Sequence, residues 1–95
     1  MNNIKKTHRS EETKKSLINR LNRINGQVNG VKKMIEEDSY CNDILIQLSA
    51  IKNSVQSLSN ELLDSHLHTC ITTDLQNGDL SAIDEVVNLF KKFNN

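Results

Sequence analysis

Apolar residues recur along this chain at helical spacing. Leu17, Leu21, Ile24, Val28, Val31 and Ile35 step by 4, 3, 4, 3 and 4 residues, the a/d stripe of an amphipathic helix. Ile44, Leu48, Ile51, Val55, Leu58 and Leu62 repeat the same steps. A shorter pattern follows in Leu80, Ile83, Val86, Val87 and Phe90. The pattern predicts three helices, over about 11–38, 41–76 and 80–93, the first two about 40 and 50 Å long. Ser10 is placed to cap the first, with Glu11 and Glu12 in the turn where the helix dipole favours negative charge. The chain breaks near Glu37–Tyr40, where Asp38 or Ser39 can cap the second helix, and Asn77-Gly78-Asp79 reads as a stop and restart. There is no proline and little glycine to interrupt long helices. No β alternation, repeat or low-complexity segment is present. The expected fold is all-α, a single domain of 95 residues with a basic tail at 1–9 and fraying at both ends. Its two long helices run antiparallel.

Those two helices carry apolar residues off the main seam, Ile18 and Met34 on the first and Leu45 and Leu63 on the second. A two-helix hairpin cannot cover both sets. Pairing two hairpins into an antiparallel four-helix bundle can. Composition points the same way. Apolar residues make up 36% of the chain, about 39% with glycine, against the roughly 45–50% usual for globular proteins. The core that one copy can build is thin.

No apolar run approaches the ~18 residues of a membrane span, and the opening Met1–Ser10 is polar, unlike a secretory signal. Two cysteines are too few for a disulfide framework, so a cytoplasmic, reducing setting is expected. The formal charge is zero, yet residues 1–33 carry nine Lys/Arg against two Asp/Glu, while 34–95 carry three against ten. Such a split suits contact between the basic end and a polyanion, most simply nucleic acid, or else a solvated helix face with a basic tail.

On a wheel of the second helix, Cys41, His66 and Cys70 fall within one sector of about 40°. His66 and Cys70 are four apart and share a face, so they can chelate one ion. Cys41 lies on the same stripe but about 37 Å away along a continuous helix. A two-fold related antiparallel helix, crossing near Ser54 and Val55, brings Cys41 of one chain to His66 and Cys70 of the other. That gives two identical sites per dimer, each shared by two chains. Two thiolates and an imidazole suit trigonal Cu(I), whereas Zn(II) wants a fourth ligand that the stripe does not offer. The His-x-x-x-Cys spacing alone is a weak motif, and a thiol pair across the dimer could instead serve redox or persulfide chemistry. His66 argues for the metal, because a redox pair does not need it. Tyr40 can set its hydroxyl near the site or simply pack at the helix start. His68 points away, and His8 lies in the tail.

The first helix has no acidic residue from Thr13 to Ile35, and its outer face is cationic and Asn-rich. Lys14, Lys15, Arg20, Arg23, Gln27 and Lys33 are the candidate DNA contacts. Gly26 and Gly30 interrupt that face at a cost of roughly 1 kcal/mol each, which close approach of a phosphate or of another helix would justify. There is no helix-turn-helix, zinc finger or aromatic stacking platform, so DNA would meet an assembled positive surface.

The run Arg20-Leu21-Asn22-Arg23-Ile24-Asn25-Gly26-Gln27-Val28-Asn29-Gly30, followed by Met34-Ile35-Glu36-Glu37, Tyr40-Cys41 and His66-x-x-x-Cys70, resembles the copper-sensitive operon repressor (CsoR) family over about Ser10–Phe93. The first segment marks a wider superfamily that includes nickel/cobalt, formaldehyde and persulfide sensors. The Cys–His–Cys set is similar to its copper branch. The resemblance implies a dimer of dimers that represses transcription by sitting on operator DNA. Cu(I), one per chain, would be held by Cys41 from one chain and His66 and Cys70 from another, releasing the DNA and derepressing copper efflux genes. It also implies a Tyr and a Glu around the ligand histidine. Tyr40 matches the first. Glu85 matches the second if the 77–80 loop is one residue shorter than in the family, since Val86 stands at the expected offset. A family arginine of the second helix falls at Ser57, so operator affinity or preference is expected to differ. Expected partners are operator DNA, further copies of the chain and a copper chaperone, with no membrane. The competing readings are a persulfide- or redox-responsive repressor and a metal-free helical interaction module. An enzyme is not expected, because no nucleophile–base set or phosphate loop is evident.

Overall fold

The computed structural model describes residues 6–93, and the start of the basic tail (1–5) and the last two residues lie outside it. Residues 6–10 are not helical. Helix α1 spans Glu11–Glu36 and α2 spans Cys41–Ser65. The backbone then winds as a π-helix over His66–Ile71 and returns to α geometry in α3, Thr72–Gln76. Helix α4 spans Ser81–Phe93. Two compact units divide within α2, residues 1–60 and 61–95.

Capping chemistry explains the ends. Ser10 is the N-cap of α1, its Oγ accepting from the Thr13 N–H at 3.1 Å, which satisfies one donor of the open first turn. The C-terminus of α1 closes as a Schellman motif. The Asp38 N–H donates to Ile35 O (3.2 Å) and the Ser39 N–H to Met34 O (2.9 Å). This requires Asp38 to take a positive φ of 54°. Asp38 therefore ends the first helix instead of capping the second, and so does Ser39. The backbone carbonyl of Tyr40 starts α2, accepting from the Asp43 and Ile44 N–H groups. The motif recurs after α3. Gly78, at φ 82°, donates to Leu75 O, and Asp79 donates from its N–H to Asp74 O. The Asp79 carboxylate then accepts from the Ser81 N–H at 3.1 Å and from the Ser81 hydroxyl, opening α4.

Within the first unit the apolar stripe splits in two. Leu17, Ile24 and Val31 on α1 are buried or half-buried, as are Ile44, Ile51 and Leu58 on α2. The alternate positions, Leu21, Val28 and Ile35 on α1 and Leu48 and Val55 on α2, remain exposed. One line of each heptad is covered within the hairpin and the other faces outward. The Arg20–Ser57 hydrogen bond (3.3 Å) links residues 37 apart across the antiparallel pair α1 and α2. In the second unit Ile71 and Ala82 are buried, while Leu80, Ile83, Val87, Phe90 and Phe93 of the α4 region stay exposed.

The two Schellman residues respond oppositely to substitution. Gly78→Ala forces a Cβ into the left-handed region and should cost about 1–2 kcal/mol. Asp38→Gly relieves that conformation and removes a negative charge from a helix C-terminus, for a gain of about 0.5–1 kcal/mol. Thermal unfolding at one fixed protein concentration checks both signs.

Candidate metal centre and nucleic-acid interface

His66 and Cys70 both lie on the π-helical turn. A π turn closes its hydrogen bonds one residue further along than an α turn, and its looser winding brings residues four apart closer to direct superposition. A uniform 100° wheel therefore does not run through this segment, and the sector drawn from Cys41 through Cys70 is displaced there. Threonine hydroxyls serve carbonyls where the ladder changes register. Thr72 Oγ1 donates to Leu67 O at 3.0 Å and Thr73 Oγ1 to Thr69 O at 2.7 Å.

His66 is half-buried, and its Nε2 lies 3.6 Å from Glu85 Oε1 of α4. At that separation the contact is electrostatic and longer than a hydrogen bond. A carboxylate facing Nε2 favours a proton on that nitrogen. The Nδ1 lone pair is then left for another partner, the usual division of labour in a metal-binding histidine. Glu85 is thus the α4 carboxylate that faces the ring.

Neither cysteine is in a disulfide; Cys41 is exposed and Cys70 half-buried. Cys41 is the first residue of α2, and Tyr40 before it is exposed. Among the described residues, no group of three His, Cys, Asp or Glu side chains within one chain is arranged to hold a metal ion. His68 is exposed, with Nδ1 2.9 Å from the Asp64 carbonyl oxygen and 3.3 Å from its carboxylate. His8 lies exposed ahead of α1.

The basic residues sort into two groups. Lys14 pairs with Glu11 at 3.4 Å and Lys33 with Glu37 at 3.8 Å, both exposed i,i+3 or i,i+4 contacts of the kind that contributes little to stability. Lys15 is exposed. Arg20, Arg23 and Gln27 line an open cleft of about 600 Å³ between α1 and α2, with Ile24 of α1 and Asn53, Ser54 and Ser57 of α2 completing the lining. Gly26 and Gly30 leave bare backbone on α1, and a Cβ at either would meet nothing within 4 Å. The α1 wall of this cleft is marked in the sequence by its cations, whereas Asn53 is not. On wheels aligned by their heptads Asn53 and Ser57 fall about 60° from the angles of Arg23 and Gln27, so the sequence does not mark them.

The family profile described as "Metal-sensitive transcriptional repressor" matches residues 13–92. The chain belongs to that family, one of regulators and not of enzymes. It is 42% identical over 87 residues to the copper-sensing transcriptional repressor CsoR of Bacillus subtilis (strain 168), covering 90% of this chain and 86% of that one. It is 42% identical over 71 residues to the copper-sensing transcriptional repressor RicR of Mycobacterium tuberculosis (strain ATCC 25618 / H37Rv), covering 75% and 74%. Its fold is similar to the crystal structure of the copper-sensing repressor CsoR with Cu(I) from Geobacillus thermodenitrificans NG80-2. The TM-score is 0.90 at 34% identity, over 95% of each chain. The nickel-responsive transcriptional regulator InrS is similar at a TM-score of 0.68 and 31% identity, over 90% of this chain and 97% of that one.

The His66–Glu85 geometry has a spectroscopic consequence. In the neutral metal-free protein, long-range ¹H–¹⁵N correlation should show His66 mainly as the Nε2–H tautomer. Glu85→Ala should mix the tautomers. An Nδ1–H ring in the unmodified chain would contradict the arrangement.

Proposed function

We propose that this chain is a Cu(I)-responsive transcriptional repressor. In the metal-free form it holds operator DNA. Cu(I) binding by Cys41 of one chain and by His66 and Cys70 of a second releases that DNA and derepresses copper efflux or resistance genes. The observation that carries the reading is the donor set in this fold. It consists of two cysteines outside any disulfide and one imidazole whose Nε2 faces Glu85, in a chain similar over 95% of its length to a Cu(I)-containing repressor. Two sulfurs and one nitrogen match a soft monovalent ion that accepts three-coordination. One chain presents His66 and Cys70 on a single turn, so a second copy is the natural source of the third ligand. The exposed line Leu21, Val28, Ile35, Leu48 and Val55 gives that copy a surface to bury, and the expected assembly is a dimer pairing into a tetramer. The proposed site of action is the cytoplasm; among the described residues no helix is long and apolar enough to cross a membrane.

On the DNA side, Lys14, Lys15, Arg20, Arg23, Gln27 and Lys33 supply the contacts, with bare backbone at Gly26 and Gly30 letting phosphates approach. Tyr40 and Glu85 orient the imidazole and link the metal to the rest of the fold. A regulator of this kind works by differential stability, with one conformer fitting DNA and the metal favouring another. A coupling of roughly 1–3 kcal/mol gives about a 5- to 150-fold change in operator affinity.

The test is anaerobic Cu(I) titration of the protein bound to the promoter region of its own gene, followed by fluorescence anisotropy. Release should be complete at one Cu(I) per chain and be lost in Cys41→Ala and His66→Ala. Glu85→Gln should retain Cu(I) affinity to within about 10–100-fold, the usual cost of losing an outer partner, and should weaken release. Release by a sulfide donor but not by Cu(I), with His66→Ala unaffected, would show a persulfide-responsive repressor instead.

A further inference from the structure

The π turn over His66–Ile71 contains no glycine or proline, the residues that most often break a helical ladder. A side chain inserted into the ladder is another common cause, and Thr72 supplies one. Its Oγ1 donates to Leu67 O, five residues back, at 3.0 Å, while its N–H donates to Thr69 O. Five residues is the π spacing. In an uninterrupted α-helix a threonine hydroxyl reaches the carbonyl three or four residues back. Thr73 makes that ordinary bond, donating to Thr69 O at 2.7 Å. The bond of Thr73 therefore suits either winding, and the bond of Thr72 suits only the wider one. The winding matters to the donor pair. On an α-helix, residues four apart stand about 40° apart around the axis and about 6 Å apart along it. A π turn has more residues per turn, so it moves Cys70 round the axis relative to His66 and brings it nearer along the axis. It also sets how the His66 ring stands to Glu85 of α4, 3.6 Å away. His66, Cys70, Thr72 and Glu85 all belong to the second compact unit.

We infer that Thr72 is a positioning residue for the metal centre. Its hydroxyl holds the π register, and so sets both the spacing of His66 and Cys70 and the approach of Glu85 to the ring. The inference rests on the Cu(I) reading above and deepens it with a residue that binds no metal. Thr72 is exposed, so replacing it disturbs no core. Valine keeps the branch at Cβ and exchanges only the hydroxyl for a methyl.

Three full-length variants decide the matter. Thr72→Val removes the register-specific bond, Thr72→Ser keeps it, and Thr73→Val removes the ordinary one. In the metal-free chain, long-range ¹H–¹⁵N correlation reads the His66 ring. Thr72→Val should mix the His66 tautomers, whereas Thr72→Ser and Thr73→Val should leave the Nε2–H form of the unmodified chain. Anaerobic competition against bathocuproine disulfonate then reads Cu(I) affinity. Thr72→Val should lose about 10–100-fold, the range for losing an outer partner of a metal ligand, and the other two should stay within about threefold. Thr72→Val with an unchanged His66 correlation and Cu(I) affinity would overturn the positioning role and leave the copper reading standing. A change in one readout without the other would overturn it too, because one register governs both. Equal losses in Thr72→Val and Thr73→Val, or a loss that Thr72→Ser does not restore, would reduce it to a general effect of substitution and overturn it. If circular dichroism shows that Thr72→Val does not fold, Thr72→Ala compared with Thr72→Ser decides in the same way. If the unmodified chain takes up no Cu(I), the copper reading falls and the metal role of Thr72 falls with it.

Discussion

A pair of helices can bury only one stripe of each helix against the other, and this chain has two. The heptad steps put Leu17, Ile24 and Val31 on one line of α1 and Leu21, Val28 and Ile35 on the next. Only the first line is covered in the hairpin. At roughly 25 cal/mol per Å² of apolar surface, the five exposed aliphatic side chains of the second line, Leu21, Val28, Ile35, Leu48 and Val55, favour association. The same constraint governs the chemistry. A donor pair on one turn and a third thiol at the start of α2 do not make a three-coordinate centre in one copy, so the proposed sensor exists only in the assembly. Folding, association and metal binding are then linked equilibria, and apparent stability depends on protein concentration and on copper.

Much of the architecture is legible in the sequence because helix signals are local. The a/d steps define the helices, Ser10 has a capping side chain at the right place, and Asn77-Gly78-Asp79 marks the second break. Two features are not legible. The side chains of Asp38 and Ser39 favour capping α2, yet the backbone uses both residues to finish α1. The chain tolerates Asp38 at positive φ since aspartate is among the few residues that enter that region at modest cost. The π turn at His66–Ile71 carries no glycine or proline. The threonines that follow it, back-bonded to Leu67 and Thr69, are its trace in the sequence, and they also fit an ordinary helix.

The site is legible in unequal parts. Residue type and spacing point to Cys41, His66 and Cys70, because soft donors are scarce in this chain. Glu85 needs the structure, since the length of the 77–80 loop decides whether residue 85 or 86 faces the imidazole. The cleft needs it as well. A wheel drawn on α1 alone displays cations but not what stands opposite them. Neutral residues such as Asn53 and Ser57 acquire meaning only when the register of the hairpin places them across from arginines.

In the proposed repressor the two faces of the hairpin divide the work. The sector of α1 and α2 that holds Arg20, Arg23, Gln27, Asn53 and Ser57 is polar and lies to one side of the buried line. The exposed aliphatic positions Leu21, Val28, Leu48 and Val55 lie to the other. A surface meant for a polyanion cannot also be the dimer seam, because burying guanidinium charge against an aliphatic surface costs more than the apolar contact returns. Separation of the faces allows both partners to be held at once. It also means that metal and DNA cannot compete directly for the same side chains. In the proposed switch, the coupling must therefore travel through the packing and register of the helices. The Arg20–Ser57 bond crosses from α1 to α2, so a small slide of one helix on the other would change it.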